Sequence, residues 1–501
     1  MFENTIEQSA VADIIADLHG GVFPPAVLFR GPEASGKGTA ALETARVLSC
    51  RKDAAWTCDC PSCTAYRDLT TKDLLIVGPR PLGAEILACS QAFLRDFEAP
   101  SAEMLFLRSI RKLLLRFSPV LREGDSDVSK LNTLLESIND TVDRFIALCR
   151  SIGKPANEAA DDETAREPPV KLVKIVDALV KDALKLEDAG IASLIPVSQI
   201  RHAAFWLHKA PDGFRKTLII ENADRMKDEA RNSLLKTIEE PAPSAQIILC
   251  SSRPRALMQT ILSRLRPYIF VTRSARAEAD IIRRVFRDPE SAAAITRTLP
   301  ADGGSPVGAG GSSADAGSSS VDAGGESRIS AYLDSFMPVP KTALIPLAAR
   351  FAAAVAGHEL ERLEKTAGAQ TAAGQAAGSL CATSSLCAIE PLRAIERCCA
   401  AKAEAADMDF RRIGAGKLCA DIAEKAGAFQ TRRLFADFIA ALLTLLGGAL
   451  AGQNGGFSAM LRDRFRVEGA KAVTAVTIYN QNAALALEKL FYSLQERIGA
   501  L

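Results

Sequence analysis

The sequence has almost no excess of charge of either sign. Its 501 residues include 61 Lys and Arg against 60 Asp and Glu, which leaves a formal net charge of +1. Such a balance creates no long-range field that would draw the whole chain onto nucleic acid or an anionic membrane. Any contact with DNA therefore requires a local patch or a partner protein.

The sequence also lacks a hydrophobic run long enough to span a bilayer. The longest run, Phe438–Gly452, has about fifteen residues and is interrupted by Thr444, Gly447 and Gly448, whereas a spanning helix needs about twenty. It is predicted to form a buried helix. Met1–Gly20 has acidic and polar residues where an export signal needs a basic start and an apolar core. We therefore expect a cytoplasmic chain with no membrane partner.

Five short apolar runs bounded by turn residues are typical of strands buried on both faces. They are Ala26–Arg30, Asp73–Gly78, Thr217–Glu221, Gln246–Ser251 and Tyr268–Thr272. Segments with helical periodicity alternate with them, and this alternation predicts an α/β fold with a parallel sheet.

A long excursion, at about residues 91–194, separates the second predicted strand from the third. Its clearest segment, Asp127–Ile152, places apolar residues on one face at helical spacing. The excursion therefore indicates a helical insertion in the α/β domain. Its basic residues suggest either a DNA contact or a solvated helix face. They are Arg108, Arg111, Lys112 and Arg116.

Two later stretches are poor in sequence complexity. Ala301–Glu326 consists mostly of Gly, Ser and Ala, which is typical of a flexible linker. The chain from Ile329 onward is rich in Ala and Leu and predicts helices. Within it, Thr366–Ala388 is predicted to be a second low-complexity loop.

The segment 31–39 has the spacing of a phosphate-binding loop. It follows the predicted strand Ala26–Arg30 and opens a predicted helix, Thr39–Leu48, which is the strand–loop–helix context that this motif requires. Backbone N–H groups and the start of the helix can cradle phosphate there. The alternative is an ordinary glycine turn.

Individual residues of this loop have separate expected roles. Gly31 and Gly36 shape the loop, and Lys37 can reach the outer phosphate oxygens. Gly38 stands where Ser or Thr would bind Mg²⁺. Thr39 lies one residue further on, about 100° around the helix, so it is expected to point elsewhere.

Four of the twelve cysteines lie within fourteen residues: Cys50, Cys58, Cys60 and Cys63. In a reducing compartment such a cluster favours metal binding over disulfides. Four thiolates suit a tetrahedral structural zinc site, because no position is left for a catalytic water. The alternative is a loop carrying free thiols.

Glu221 and Asn222 end the third predicted strand. A nucleotide hydrolase needs one carboxylate there for the metal's water shell and a neighbouring one to activate water. Glu221 could serve the first role, but Asn222 cannot act as a base. Further along the chain, Arg264 follows Ser263, and in isolation such an arginine is most often a surface salt-bridge partner.

Taken together, these motifs resemble the clamp-loader branch of the AAA+ ATPases, in particular the delta-prime and gamma/tau subunits of bacterial DNA polymerase III. The specific part of the resemblance is the combination of the cysteine cluster with the segment Asn232–Pro241 and the Ser263–Arg264 pair. The matching segments, in order, are Ile6–Gln8, 31–39, 50–63, Ile200–Arg201, Ile219–Arg225, Asn232–Pro241 and Ser263–Arg264.

The resemblance implies a fold and a domain order. The fold is an α/β AAA+ module with a parallel sheet, a helical insertion, a small helical lid and an all-α collar. The module would cover 1–273, with a zinc loop at 50–63 and the insertion at about 91–194. The lid would cover 274–300, the linker 301–328 and the collar 329–501.

The resemblance also implies a function. Gly38 and Asn222 replace groups that gamma/tau proteins use for hydrolysis, whereas Arg264 is kept, and this is the profile of the delta-prime subunit. Such a protein has no working ATP site of its own, so ATP binding stays open and hydrolysis is not expected, and it offers an arginine to a neighbouring ATPase subunit. Its partners would be gamma/tau, delta, the sliding clamp and, through the complex, primed DNA.

Two other functions remain open at this stage. One is a gamma/tau-type ATP-driven motor, because the phosphate loop and Lys37 are present. The other is a zinc-bearing repair or recombination adaptor that kept the fold but left the loader. ATP turnover by the isolated chain distinguishes the motor, and co-purification with gamma/tau distinguishes the adaptor.

Overall fold

In the computed structural model the chain forms two compact units, Met1–Met337 and Pro338–Leu501. The described residues are 1–123, 128–152, 167–192, 194–297, 327–337, 339–372, 379–403, 410–426, 432–451, 456–477 and 481–498.

A five-stranded sheet organises the first unit. Its strands are β1 Ala26–Arg30, β2 Leu74–Val77, β3 Lys216–Ile220, β4 Ala245–Ser251 and β5 Arg266–Ile269. The strand order is β2-β3-β4-β1-β5, and every neighbouring pair is parallel. All residues of β2, β3 and β4 are buried, which explains their continuous apolar runs. The predicted α/β fold with a parallel sheet is confirmed.

The last strand lies earlier in the chain than predicted. β5 covers Arg266–Ile269 instead of Tyr268–Thr272, because its register is set by pairing with β1 from Val27↔Arg266 onward. It is an edge strand with Arg266 and Pro267 exposed, so its first residues give no apolar signal in the sequence.

Helices cover both faces of the sheet and extend beyond it. One face packs against α1–α3 and the other against α8–α10. The helices of this unit are α1 Ala10–His19, α2 Lys37–Leu48, α3 Pro61–Arg67, α4 Gly83–Arg95, α5 Pro100–Leu115, α6 Val128–Ile152, α7 Val170–Gly190, α8 Val197–Leu207, α9 Asp228–Glu239, α10 Gln259–Leu262, α11 Ala275–Val285, α12 Pro289–Arg297 and α13 Arg328–Asp334.

The helical insertion between β2 and β3 has its own apolar core. The rings of Phe93, Phe106 and Phe145 pack against one another with centroids 5.2–6.0 Å apart. Residues of α11, α12 and α13 join the same core. Of the predicted linker at 301–328, all but the last two residues lie outside the described residues.

The second unit contains helices and no strands where the structure describes it. Phe351 packs edge-on against Phe438 and Phe491 at its centre. Phe438–Gly452 was expected to be a buried helix, and residues of α17 up to its end are indeed in this core. The helices are α14 Lys341–Ala372, α15 Ser379–Lys402, α16 Ala415–Lys425, α17 Arg432–Ala449, α18 Gly456–Thr477 and α19 Ala483–Ile498.

The predicted loop at Thr366–Ala388 is wrong for most of its length. α14 continues to Ala372 and α15 begins at Ser379, which leaves only 373–378 outside the described helices. The low-complexity stretch is rich in alanine, and alanine has the highest helix propensity of all residues.

One described helical segment, Thr342–Lys365, is long and apolar enough to cross a membrane by length and composition alone. Of its most apolar window, 72% is buried inside the protein. The core helix of a globular domain has the same properties.

Candidate functional site

The phosphate loop connects the end of β1 to the start of α2. Gly36 precedes α2 in a left-handed conformation, with φ of +92°, which glycine adopts without steric cost. A Cβ atom on Gly36 would lie 2.3 Å from the Arg273 guanidinium, and one on Gly31 would lie 2.2 Å from the Phe270 carbonyl oxygen. Gly31 is therefore required by close approach of backbone, and Gly36 by its backbone angle.

Lys37 is turned back onto its own loop. Its ammonium group donates to the Gly31 carbonyl at 2.8 Å, to the Ser35 hydroxyl at 3.2 Å and to the Pro32 carbonyl. The side chain is buried, and burial lowers the pKa of Lys37 to about 8. In this arrangement the loop carbonyls satisfy the lysine that the motif uses to reach phosphate.

Glu221 directly follows β3, at the same edge of the sheet as the phosphate loop. Ligands of open parallel sheets bind at this carboxyl edge. The Oε1 atom of Glu221 lies 3.2 Å from Arg80, and its Oε2 atom contacts Arg116. Burial opposes ionisation, but Arg116 and Arg80 outweigh it and hold the pKa of Glu221 below its ordinary value. Glu221 is therefore a carboxylate with both oxygens committed to guanidinium groups.

Gly38 faces this carboxylate from the first turn of α2. A Cβ atom built on Gly38 would lie 3.0 Å from Glu221 Oε1 and 3.3 Å from an Arg80 nitrogen. The position that would carry a metal-binding hydroxyl is thus next to Glu221, and it lacks a side chain. Thr39 is exposed.

Asn222 and Asp224 do not complete a catalytic pair. Asn222 has a left-handed backbone and precedes a short 3₁₀ turn at Ala223–Arg225. Asp224 accepts a 2.7 Å hydrogen bond from Ser251 at the end of β4. This contact gives Asp224 a structural role in joining the ends of two strands.

Sequence reasoning missed Arg80 and misplaced Arg116. The four basic residues of the insertion were expected to form either a DNA contact or a solvated face, and both expectations are wrong, because all four have partners within the protein. Arg116 is buried against Glu221 and Lys112 pairs with Glu85. Arg108 and Arg111 donate to the backbone carbonyls of Arg67 and Asp68. Arg80 follows β2 at the carboxyl edge of a parallel sheet, a position that could have suggested a site residue.

The four clustered cysteines come together in space, with their sulfur atoms all within 4.8 Å of one another. Cys50 Sγ lies 3.6 Å from Cys58 Sγ and 3.9 Å from Cys60 Sγ. Zn–S bonds of about 2.3 Å in a tetrahedron require sulfurs about 3.8 Å apart. The donor set and its spacing therefore fit a zinc ion.

Hydrogen-bond donors surround these sulfur atoms. The backbone N–H of Ala54 donates to Cys50 Sγ at 3.2 Å, and that of Cys63 donates to Cys60 Sγ at 3.4 Å. The buried guanidinium of Arg46 donates to Cys63 Sγ at 2.9 Å while holding Glu43 with two further bonds of 2.9 and 2.7 Å. Such donors stabilise thiolates and orient them toward a metal.

Arg264 lies on the surface between α10 and β5. It pairs with Glu239 of α9 at 2.6 Å and donates to the Thr260 carbonyl at 2.8 Å, and its side chain is 40% exposed. A pair this exposed contributes little stability. The guanidinium is therefore held in place but accessible from outside.

Comparison with known proteins bears on these features. Residues 151–273 match a family model described as the DNA polymerase III delta subunit. The chain is 34% identical over 129 residues to the DNA polymerase III subunit delta-prime of Pseudomonas aeruginosa, and 36% identical over 69 residues to that of Bacillus subtilis. Over these residues the chain is similar to delta-prime subunits.

The similarity to the delta-prime subunits is limited in extent. The two alignments cover 26% and 14% of this chain, and 39% and 21% of the relatives' own lengths. A solved structure of a gamma subunit-related protein from Thermotoga maritima matches 61% of this chain and 81% of its own, with 16% identity and a TM-score of 0.24.

Proposed function

We propose that this chain is a delta-prime-like, non-hydrolysing subunit of a DNA polymerase III clamp loader in the cytoplasm. In this role it places the sliding clamp on primed DNA together with gamma/tau and delta subunits. The observation that carries the proposal is Glu221, the carboxylate of the nucleotide site, held between Arg80 and Arg116. The similarity to delta-prime subunits supports the assignment to the loader.

The absence of hydrolysis follows from the groups that the chemistry needs. Phosphoryl transfer uses a metal held by a hydroxyl and a carboxylate, and a second group that positions the attacking water. Here Gly38 has no hydroxyl, Asn222 carries no carboxylate, and Glu221 is ion-paired. The chain therefore contributes a fixed subunit to the ring, and Arg264 is the group that we propose acts on a neighbour's nucleotide.

Reconstitution tests the proposed function. The chain is mixed with gamma/tau and delta, and the complex is separated by gel filtration and assayed for ATPase activity with and without clamp and primed DNA. We expect stable incorporation and no turnover by the isolated chain. Turnover by the isolated chain would instead identify a gamma/tau-type motor, and failure to join gamma/tau and delta would overturn the loader assignment.

Replacing Lys37 by alanine should leave the ATPase activity of the assembled loader within about twofold of wild type, because turnover occurs at other subunits. In this chain the Lys37 ammonium donates hydrogen bonds to the carbonyls of Gly31 and Pro32. Steady-state ATPase assays of matched complexes measure the effect. The control is the equivalent lysine of gamma/tau, whose loss should abolish turnover, and a comparable loss from Lys37→Ala would support the motor.

We also propose that Cys50, Cys58, Cys60 and Cys63 hold one structural zinc ion. Four thiolates close the coordination sphere, so the metal supplies cross-linking of the loop and no reaction chemistry. Cys50 and Cys63 flank a segment that leads from the end of α2 into α3. The metal would therefore fasten this segment beside the helix that starts at the phosphate loop.

Replacing Arg46 by lysine should weaken zinc binding by about 10–100-fold, the usual effect of losing a group that orients a metal ligand. Lysine keeps the charge but cannot hold Glu43 with two bonds and Cys63 with a third. Competition with a chromophoric chelator measures the affinity. Lys52→Ala is the control, because Lys52 is an exposed cation of the same loop whose ammonium pairs with Asp59. Equal affinity of Arg46→Lys and wild type would rule out this role of Arg46.

A further inference from the structure

The first long helix of the insertion ends inside the nucleotide site. Arg116 caps the C-terminus of α5, and its side chain is only 5% exposed. It donates one bond to the Gly78 carbonyl at the end of β2 and another to Glu221 Oε2. A residue of the insertion thus contacts two strand ends at the carboxyl edge of the sheet.

Both oxygens of the carboxylate that it contacts already face guanidinium groups. Arg80 engages Oε1 of Glu221 at 3.2 Å while its other terminal nitrogen holds Glu85 at 3.0 Å. Lys112 of α5 also pairs with Glu85. Three cations therefore surround two carboxylates at this corner.

The Glu221–Arg116 ion pair lies where a metal ion binds in a phosphate-loop site. The Glu221 carboxylate lies 3.0 Å from where a Cβ of residue 38 would be, and residue 38 is the position of the metal-binding hydroxyl in the motif. Mg²⁺ is held by carboxylates, waters and phosphate oxygens in octahedral geometry. A divalent cation here would have to displace two guanidinium groups and would be repelled by both.

We infer that Arg116 of the helical insertion takes the place of the divalent cation beside Glu221, so that this site excludes metal-bound nucleotide. The insertion then has a definite role, which is to deliver a permanent positive charge to the nucleotide site. This inference rests on the non-hydrolysing part of the proposed function and holds whether or not the chain joins a clamp loader.

Manganese binding to the full-length chain tests the inference. Electron paramagnetic resonance measures free Mn²⁺ in titrations with and without ADP, for wild type, Arg116→Met and Arg116→Lys. We expect wild type and Arg116→Lys to bind no Mn²⁺ above the level set by ADP alone. Arg116→Met, which removes the charge and keeps an unbranched apolar side chain, should lower free Mn²⁺ below that level, with an affinity at least about tenfold above the detection limit of the wild-type titration.

The control is Arg111→Met, which removes a charge from the same helix. Arg111 donates to the Asp68 carbonyl, so its loss should leave Mn²⁺ binding at the wild-type level. Circular dichroism and thermal melts verify folding, and Arg116→Gln, which keeps a donor for the Gly78 carbonyl, replaces the methionine variant if that one unfolds. Specific Mn²⁺ binding by wild type, or no gain in either folded neutral variant, would overturn the inference. The manganese titrations use the isolated chain. Their outcome is therefore independent of whether the chain assembles with gamma/tau and delta in the reconstitution experiment.

Discussion

Replacing Arg264 by alanine should lower the DNA- and clamp-stimulated ATPase activity of the reconstituted loader by about 10³-fold or more at the adjacent gamma/tau site. The transferring phosphoryl group spreads negative charge over its oxygens, and an arginine supplied in trans is worth about 10³–10⁵ in rate in GTPases. Arg264 is 40% exposed and is held by Glu239, the Thr260 carbonyl and the Ser263 hydroxyl, so its guanidinium is accessible from outside.

The variants around Arg264 separate this role from a structural one. Arg264→Lys should rescue activity only in part, because an ammonium lacks the planar fork that holds two oxygens. Glu239→Gln removes the surface ion pair but keeps the arginine, so it should retain most of the activity. Arg255→Ala removes an exposed arginine from the 3₁₀ turn that precedes α10 and serves as the control. Unchanged ATP turnover by a fully assembled complex with Arg264→Ala would show that Arg264 only forms a surface salt bridge.

The double variant Cys60→Ser/Cys63→Ser should reduce bound zinc from about one ion per chain to less than about a tenth, because structural zinc requires its thiolates and has an apparent binding free energy of about 10–16 kcal/mol in zinc-finger peptides. Both cysteines are almost fully buried in the cluster. Inductively coupled plasma mass spectrometry of protein purified under reducing conditions measures the metal. The loop before α3 should also become more sensitive to proteolysis.

A cysteine outside the cluster provides the comparison for this experiment. Cys149 lies on α6 of the insertion and is half-buried, as Cys50 is. Cys149→Ser should therefore keep its zinc and its protease resistance. Zinc-free wild type under reducing conditions, or full zinc in the double variant, would show that the four thiols have no metal role.

Much of the module could be predicted because its signals are local. β1 begins and ends at the predicted residues, and both ends of β3 and the start of β4 differ from the prediction by one residue. A strand buried on both faces must be continuously apolar, whichever strands lie beside it. The phosphate loop is equally local, because its glycines are required by the backbone conformation of a single turn.

The cysteine cluster was also predictable from spacing alone. Its members lie within fourteen residues of one another, so bringing them together closes only short loops and costs little chain entropy. The structure adds the Arg46 guanidinium on Cys63, which comes from the preceding helix and has no counterpart in the cysteine spacing.

The sequence by itself determined the strands, the phosphate loop, the missing hydroxyl at Gly38 and the clustering of the four cysteines, since each depends on residues close together in the chain. Only the tertiary structure decided the fate of Glu221. Arg80 and Arg116 approach it from 141 and 105 residues away, and a basic helical face looks the same in the sequence whether it meets solvent or a carboxylate. Which of the two it meets is decided by how α5 packs on the end of the sheet, because a buried guanidinium is stable only where the fold brings an anion to it.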